Sequence, residues 1–299
     1  MGKPGLLAFL LLANCVPKMG NPASLITQER IIAVRADPAE AAPGDMVQYT
    51  SLVVSPSGTV DAQDLSWILC SLRKPVAENT PVSQACLIGD LPQSAQGGSV
   101  SIQAPSSACV NFGPLAPPSS HGTLRPSDPD ATGGYYQPIR LALGTGLAIF
   151  RERLRCDLAG ASLLMSQEFR ARYTANQNPT LVSLSALVDE TPTALDSLPA
   201  GQRIILVATW SSDSAESYPV FDSASQTIAD HREALWLSWF VTAGAFEDSV
   251  TGSGEGDAAI STENVWQSPL TQGGGFLWLV LHDSRGGTDF ASYTLTVAP

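Results

Sequence analysis

Residues that usually carry chemistry are scarce in this chain of 299 residues. Only three histidines occur, His121, His231 and His282, each tens of residues from the next. No Gly-x-Ser-x-Gly, His-Glu-x-x-His, Gly-Lys-Ser/Thr phosphate loop or dinucleotide fingerprint is present, so the enzyme classes those motifs announce have no anchor here. The run His282-Asp283-Ser284 holds the residue types of a catalytic triad, but consecutive residues leaving a strand point in alternating directions and cannot form a relay. Positive charge is also short. Lys plus Arg number 16 against 28 Asp plus Glu, a formal charge of −12 that repels nucleic acid and anionic headgroups. Beyond the first residues, no segment approaches the roughly 18 to 20 consecutive apolar residues of a spanning helix. No cysteine follows Cys156.

What is present begins at the N-terminus. Lys3 gives a positive start, Leu6 to Leu12 an apolar run, and Leu12-Ala13-Asn14-Cys15 small residues leading to a cysteine. This layout resembles the bacterial lipobox, and the resemblance implies cleavage before Cys15 and diacylation of its sulfur. The competing reading is an ordinary signal peptide with Cys15 as a spare thiol. Losing residues 1–14 removes only Lys3, leaving −13, so membrane contact would come from the lipid and not from a basic patch. Five cysteines are an odd number, and Cys15 accounts for the odd one. In an oxidising compartment Cys70, Cys86, Cys109 and Cys156 form two disulfides, with three connectivities open; the expected pairing is Cys70 with Cys86 and Cys109 with Cys156. Zinc sites want close pairs such as Cys-x-x-Cys, and none is supplied.

From Arg30 onward the pattern is that of short strands. The run Ile31-Ile32-Ala33-Val34, the turn Ala42-Pro43-Gly44-Asp45 and the alternation from Val47 are followed by strands near residues 65–69, 99–102, 135–143 and 147–154. Residues 114–134 read as a long loop. A second series starts at Thr180 in the same order. Leu198-Pro199-Ala200-Gly201 echoes the first turn, Leu65-Ser66-Trp67 recurs as Leu237-Ser238-Trp239, Gly133-Gly134-Tyr135-Tyr136 as Gly274-Gly275-Phe276-Leu277, and Phe150 as Phe290. Such ordered matches indicate an internal duplication. Each unit, with about seven strands and an inward Trp on an early-middle strand, resembles the immunoglobulin-like β-sandwich. A lipobox followed by two such units is similar to uncharacterised surface lipoproteins of deltaproteobacteria, a likeness that implies no activity.

Residues 161–173 read as a helix, with an apolar stripe of Ala161, Leu164, Met165, Phe169 and Tyr173 and with Arg170 and Arg172 at the end favoured by the helix dipole. Two strands of the second unit are apolar on both faces. In residues 235–241, Leu235, Leu237, Trp239 and Val241 alternate with Trp236 and Phe240, and residues 276–281 are apolar throughout. A sandwich sheet normally keeps one wet face. These strands therefore predict a cover, and the helix stripe, through Phe169 or Met165, is the expected one.

Three further groups are candidate sites. Asp283 and Asp289 straddle Gly286-Gly287 and offer oxygen ligands of the kind calcium takes, against the plainer reading of a tight hairpin. Arg151, Arg153 and Arg155 alternate with Glu152, Leu154 and Cys156, placing three guanidinium groups on one strand face as a ridge for an acidic partner or as a solvated face. Trp236 and Phe240 form a possible binding face. The fold expected is mainly β: a signal peptide at 1–14, a lipidated tether at 15–28, an immunoglobulin-like sandwich at 29–158, a helical linker at 159–179 and a second sandwich at 180–299. The function expected is a lipid-anchored cell-envelope protein, on the outer membrane, acting as a non-catalytic binding or structural module with a protein or glycan partner and no cofactor. The alternatives are an accessory subunit of an envelope complex and a carboxylate-based hydrolase of envelope sugars.

Overall fold

The computed structural model describes residues 23–73, 78–80, 82–111, 113 and 131–298. Two immunoglobulin-like β-sandwiches follow one another. The first uses strands β1 (Arg30–Asp37), β2 (Glu40–Ala41), β3 (Met46–Ser55), β4 (Ser66–Leu69), β5 (Ser99–Gln103), β6 (Gly134–Leu143) and β7 (Gly146–Arg155). In one sheet β3 lies between β1 and β5; in the other the order is β2, β7, β6, β4, with β2 parallel to β7. The second sandwich uses β8 (Leu181–Val188), β9 (Leu198–Pro199), β10 (Arg203–Trp210), then a hairpin β11 (Ser217–Asp222) and β12 (Thr227–Arg232), then β13 (Leu235–Val241), β14 (Ser261–Gln267), β15 (Gly273–Asp283) and β16 (Thr288–Ala298). Its sheets run β8, β10, β14 and β9, β16, β15, β13, again with a two-residue strand, β9, parallel to the last strand. The topology of the first unit is thus repeated, and the sequence matches fall on equivalent elements.

Alternation builds each core. Val47, Tyr49 and Val53 of β3 meet Trp67, Ile139, Leu141 and Leu154 from the opposite sheet. In the second unit Ile204, Leu206 and Ala208 of β10 meet Leu237, Trp239, Leu277, Leu279 and Leu281. Both inward tryptophans are fully buried and satisfied, the indole N–H of Trp67 donating to the Gly97 carbonyl at 2.7 Å and that of Trp239 to the Thr251 hydroxyl at 2.9 Å. No cystine spans the sheets of the first core; Tyr49 lies against Trp67, ring centroids 5.7 Å apart. The disulfides sit at the margins. Cys70–Cys86 ties the end of β4 to the short helix Gln84–Ile88, and Cys109–Cys156 ties the short helix Ala108–Asn111 to the chain just after β7.

The doubly apolar strands are covered, though not by the helix. Outward Phe240, Phe276, Trp278, Val280 and Phe290 of the second unit pack with Ile32, Ala33, Leu52 and Val54 on the outer face of β1 and β3, together with Ile26. A bulge between Ile31 and Ala33 makes this possible by resetting β1, so that Ile31 faces the first core while Ile32 and Ala33 face the second unit. The sandwiches therefore stack face to face and share a third apolar core.

The helix expectation is corrected accordingly. The helix Leu163–Arg172 is capped by Ser162, whose hydroxyl accepts from the Met165 amide at 3.3 Å. Phe169 and Met165 cluster with Leu158, Phe221 and Ile228, so the helix lies on the β11–β12 hairpin. The stripe is narrower than its spacing implies, because Leu164 is 68% exposed.

Candidate functional site

The most elaborate polar site is the joint where residues 173–178 and the β15–β16 turn meet the first sandwich. Its first half is built on β2 and β7. Pairing of these strands sets Glu40 opposite Arg153, and the Arg153 Nε donates to a Glu40 carboxylate oxygen at 2.9 Å with both side chains out of solvent. The guanidinium also donates to the Tyr136 hydroxyl at 3.1 Å and the Thr132 hydroxyl at 2.9 Å. It lies over Gly134, where any Cβ would come within 2.1 Å of it. Glu40 further accepts from the Tyr173 hydroxyl and, at 3.1 Å, from the Asn176 amide, which fastens the linker to the first unit.

The second half centres on Arg285. Its Nε donates to Glu233 at 2.7 Å, one terminal nitrogen to Glu216 at 2.6 Å, the other to the Thr174 carbonyl at 3.0 Å, and its plane lies 4.8 Å from the Tyr218 ring centre. Asp283 accepts from the amides of Arg285 at 2.9 Å and Gly287 at 2.8 Å, and from the Asn176 side chain at 3.2 Å. Asn176 bridges the halves. Gly287 is required by this closeness, since a Cβ there would lie 2.0 Å from the Asp283 carboxylate. At the rim Asn178 donates to the Ala36 carbonyl at 2.7 Å, and Arg35 pairs with Asp289 at 2.8 Å.

Electrostatics follow from burial. Desolvation pushes the Asp283 and Glu216 carboxyls above their ordinary values, and it raises Glu233 to about 7, with the neighbouring Asp283 charge adding to the effect. The Tyr173 phenol is pushed up by burial and then by Glu40. Burial lowers His282, which bonds to the Thr288 hydroxyl at 3.0 Å. These carboxylates are aimed at guanidinium and amide groups of the chain itself, an arrangement that ties segments together.

The residues singled out from sequence fall in different places. Cys15 and His121 lie outside the described residues, as does the expected loop 114–134 except for residues 131–134. Asp283 and Asp289 do not form a calcium loop: Asp283 is 2% exposed and saturated by its own turn, while Asp289 is taken by Arg35 and by the Leu181 amide at 2.8 Å. Among the described residues no three His, Cys, Asp or Glu side chains come together as metal ligands. Arg151, Arg153 and Arg155 do share a strand face, but they are not a ridge. Arg153 is buried under the linker while Arg151 and Arg155 stay exposed, because the side chains of Glu40, Tyr136 and Thr132 and residues 173–176 enclose only the middle of that face. Phe240 is not a binding face either, being packed in the shared core beneath the Arg30 guanidinium at 5.4 Å. Trp236 remains 45% exposed.

Glu40, Asn176, Glu216, Glu233 and Arg285 are the residues that sequence reasoning passed over. Arg285 stands inside the acidic turn that drew attention, and a lone cation between Asp283 and Asp289 is a signal for an internal ion pair. The other four carry no local signal.

No family model and no curated protein matches the chain. Among solved structures, the D0–D1 domains of intimin align over 90% of this chain and 99% of their own at 10% identity and a TM-score of 0.24. The Yersinia pseudotuberculosis adhesin InvE aligns over 90% of this chain and 60% of its own at 13% identity and 0.24. Domains 4 and 5 of the S-layer protein SbsC align over 80% and 100% at 9% and 0.21. Scores this low carry no argument about function.

Proposed function

We propose that this chain is a lipid-anchored cell-envelope protein whose two sandwiches act as one stiff, non-catalytic binding or structural module. The observation that carries this reading is the shared apolar core between the sandwiches, sealed at its edge by the Glu40–Arg153 and Arg285 clusters. Two domains meant to move freely meet through smaller and more polar contacts. Here aromatic residues of one unit are buried against the other, and the gain is a body that holds its surfaces at a fixed angle. A carboxylate hydrolase needs two carboxyl groups facing a cleft across about 5 to 10 Å. The buried carboxylates of the joint serve instead as ties.

The anchor rests on the lipobox-like stretch ending at Cys15 and on Cys70, Cys86, Cys109 and Cys156 being paired, which leaves Cys15 as the odd cysteine. Intact-mass analysis of protein extracted from membranes tests it. The expected product begins at an acylated Cys15, and Cys15→Ser shifts the protein to the soluble fraction. An unmodified Cys15 in membrane-extracted protein overturns the anchor. The half-exposed Trp236 favours one further reading, an accessory subunit that buries this side chain against a partner.

A further inference from the structure

We propose that the joint is a proton-operated latch: the Arg285 cluster, three carboxyls against one guanidinium, closes residues 174–178 and the turn 283–287 on each other while it holds a proton and loosens them on losing it. The geometry sets the imbalance. Arg285 is spent on Glu233, Glu216, the Thr174 carbonyl and the Tyr218 ring. Among the described residues Asp283 is left with neutral donors, the Asn176 side-chain amide and two backbone N–H groups. Glu233 is 0% exposed and, among the described residues, receives Arg285 and the Glu216 amide, the latter at 2.9 Å.

Neighbouring charges do not offset the excess among the described residues. On the first sandwich Glu40 faces Arg153, and at the rim Asp289 faces Arg35. On the hairpin Asp230 is paired with Arg172 of the helix, while His231 lies 3.2 Å from Glu255 at the surface. His282, on the same turn, is held toward its neutral form by burial. Two negative charges in excess inside a buried cluster favour uptake of a proton, and the raised Glu233, Asp283 and Glu216 agree with that.

The sign follows. Opening the joint returns these carboxyls to water and to ordinary values of about 4. A closed-state value above the open one favours the closed joint at low pH. Its contribution is complete below about pH 4.5 and is lost as pH rises through about 7, the Glu233 value. With that value, the open fraction rises about tenfold between pH 6 and pH 8.

Hydrogen exchange on the full chain reads this directly. After correction for intrinsic exchange, protection in residues 174–178 and 283–288 is expected to fall about tenfold from pH 6 to pH 8. Glu233→Gln keeps an acceptor for Arg285 without the charge and is expected to abolish the fall; Asp283→Asn is expected to reduce it. His231→Gln is expected to leave it intact. Wild-type protection that does not change overturns the latch. So does a tenfold fall that survives both carboxyl variants or disappears in His231→Gln. Should Glu233→Gln not fold, the wild-type comparison and Asp283→Asn decide alone.

Discussion

Trp278 of the second sandwich donates its indole N–H to the Thr59 hydroxyl of the first at 2.9 Å, across 219 residues of sequence. The bond lies beside the ring's burial among Leu52, Val54, Val280 and Phe276, so one side chain belongs to the cores of two folding units. Trp278→Ala is expected to cost about 3 to 5 kcal/mol and to lower the unfolding of both sandwiches together. Calorimetry showing one peak in the parent and a single shifted peak in the variant would bear this out. Trp278→Phe, which keeps most of the packing, should lose only about 0.5 to 1.5 kcal/mol with the hydrogen bond.

Sharing a core also changes what reduction should do. The Cys70–Cys86 bridge spans 16 residues and Cys109–Cys156 spans 47, so loop-closure entropy gives them about 3 and about 4 kcal/mol. Both staple only the first unit. Read as separate beads, the units would leave the second unaffected by reductant; with the shared core, reductant is expected to lower the melting of both. Near-ultraviolet circular dichroism can follow the second unit if Trp67 is replaced by Phe, since the five other tryptophans, Trp210, Trp236, Trp239, Trp266 and Trp278, all lie in that unit.

Phe169 fixes the helix to the hairpin. It stacks near Tyr173 with centroids 5.2 Å apart and shares a cluster with Phe221 and Ile228. Phe169→Ala is expected to cost about 3 to 5 kcal/mol, felt first as faster amide exchange in β11 and β12 rather than in β13 or β15. The same exchange rate in β15 as in β11 would refute this placement.

Glu152 lies on the core-facing side of β7, and among the described residues the polar group beside its buried carboxyl is the Tyr49 hydroxyl. Burial, then the Glu40 charge, pushes this carboxyl well above its usual value. The folded chain therefore holds a proton that the unfolded chain gives up. The stability tied to it is complete below about pH 4.5 and falls as pH rises toward the folded value. Glu152→Gln is expected to match the parent near pH 4 and to exceed it at pH 8 by about 1 to 3 kcal/mol in urea unfolding.

Alternating apolar residues, turn chemistry and ordered repeats determine the two sandwiches by themselves, since strand period and turn sterics are local properties of the chain. Leu237-Ser238-Trp239 repeats Leu65-Ser66-Trp67, and both tryptophans point inward. The need to cover Phe240 and Trp278 was legible for the same reason. What covers them was not. Helical spacing at Leu164 and Phe169 offered a nearby partner, but a bulge at Ile32 turned β1 outward and let the whole first sheet take the place, a choice that depends on docking two finished surfaces. The joint lay further from view: Glu40, Asn176, Glu216, Glu233 and Arg285 come from five separate segments, and only the folded chain sets their charges against one another in a space that water does not reach.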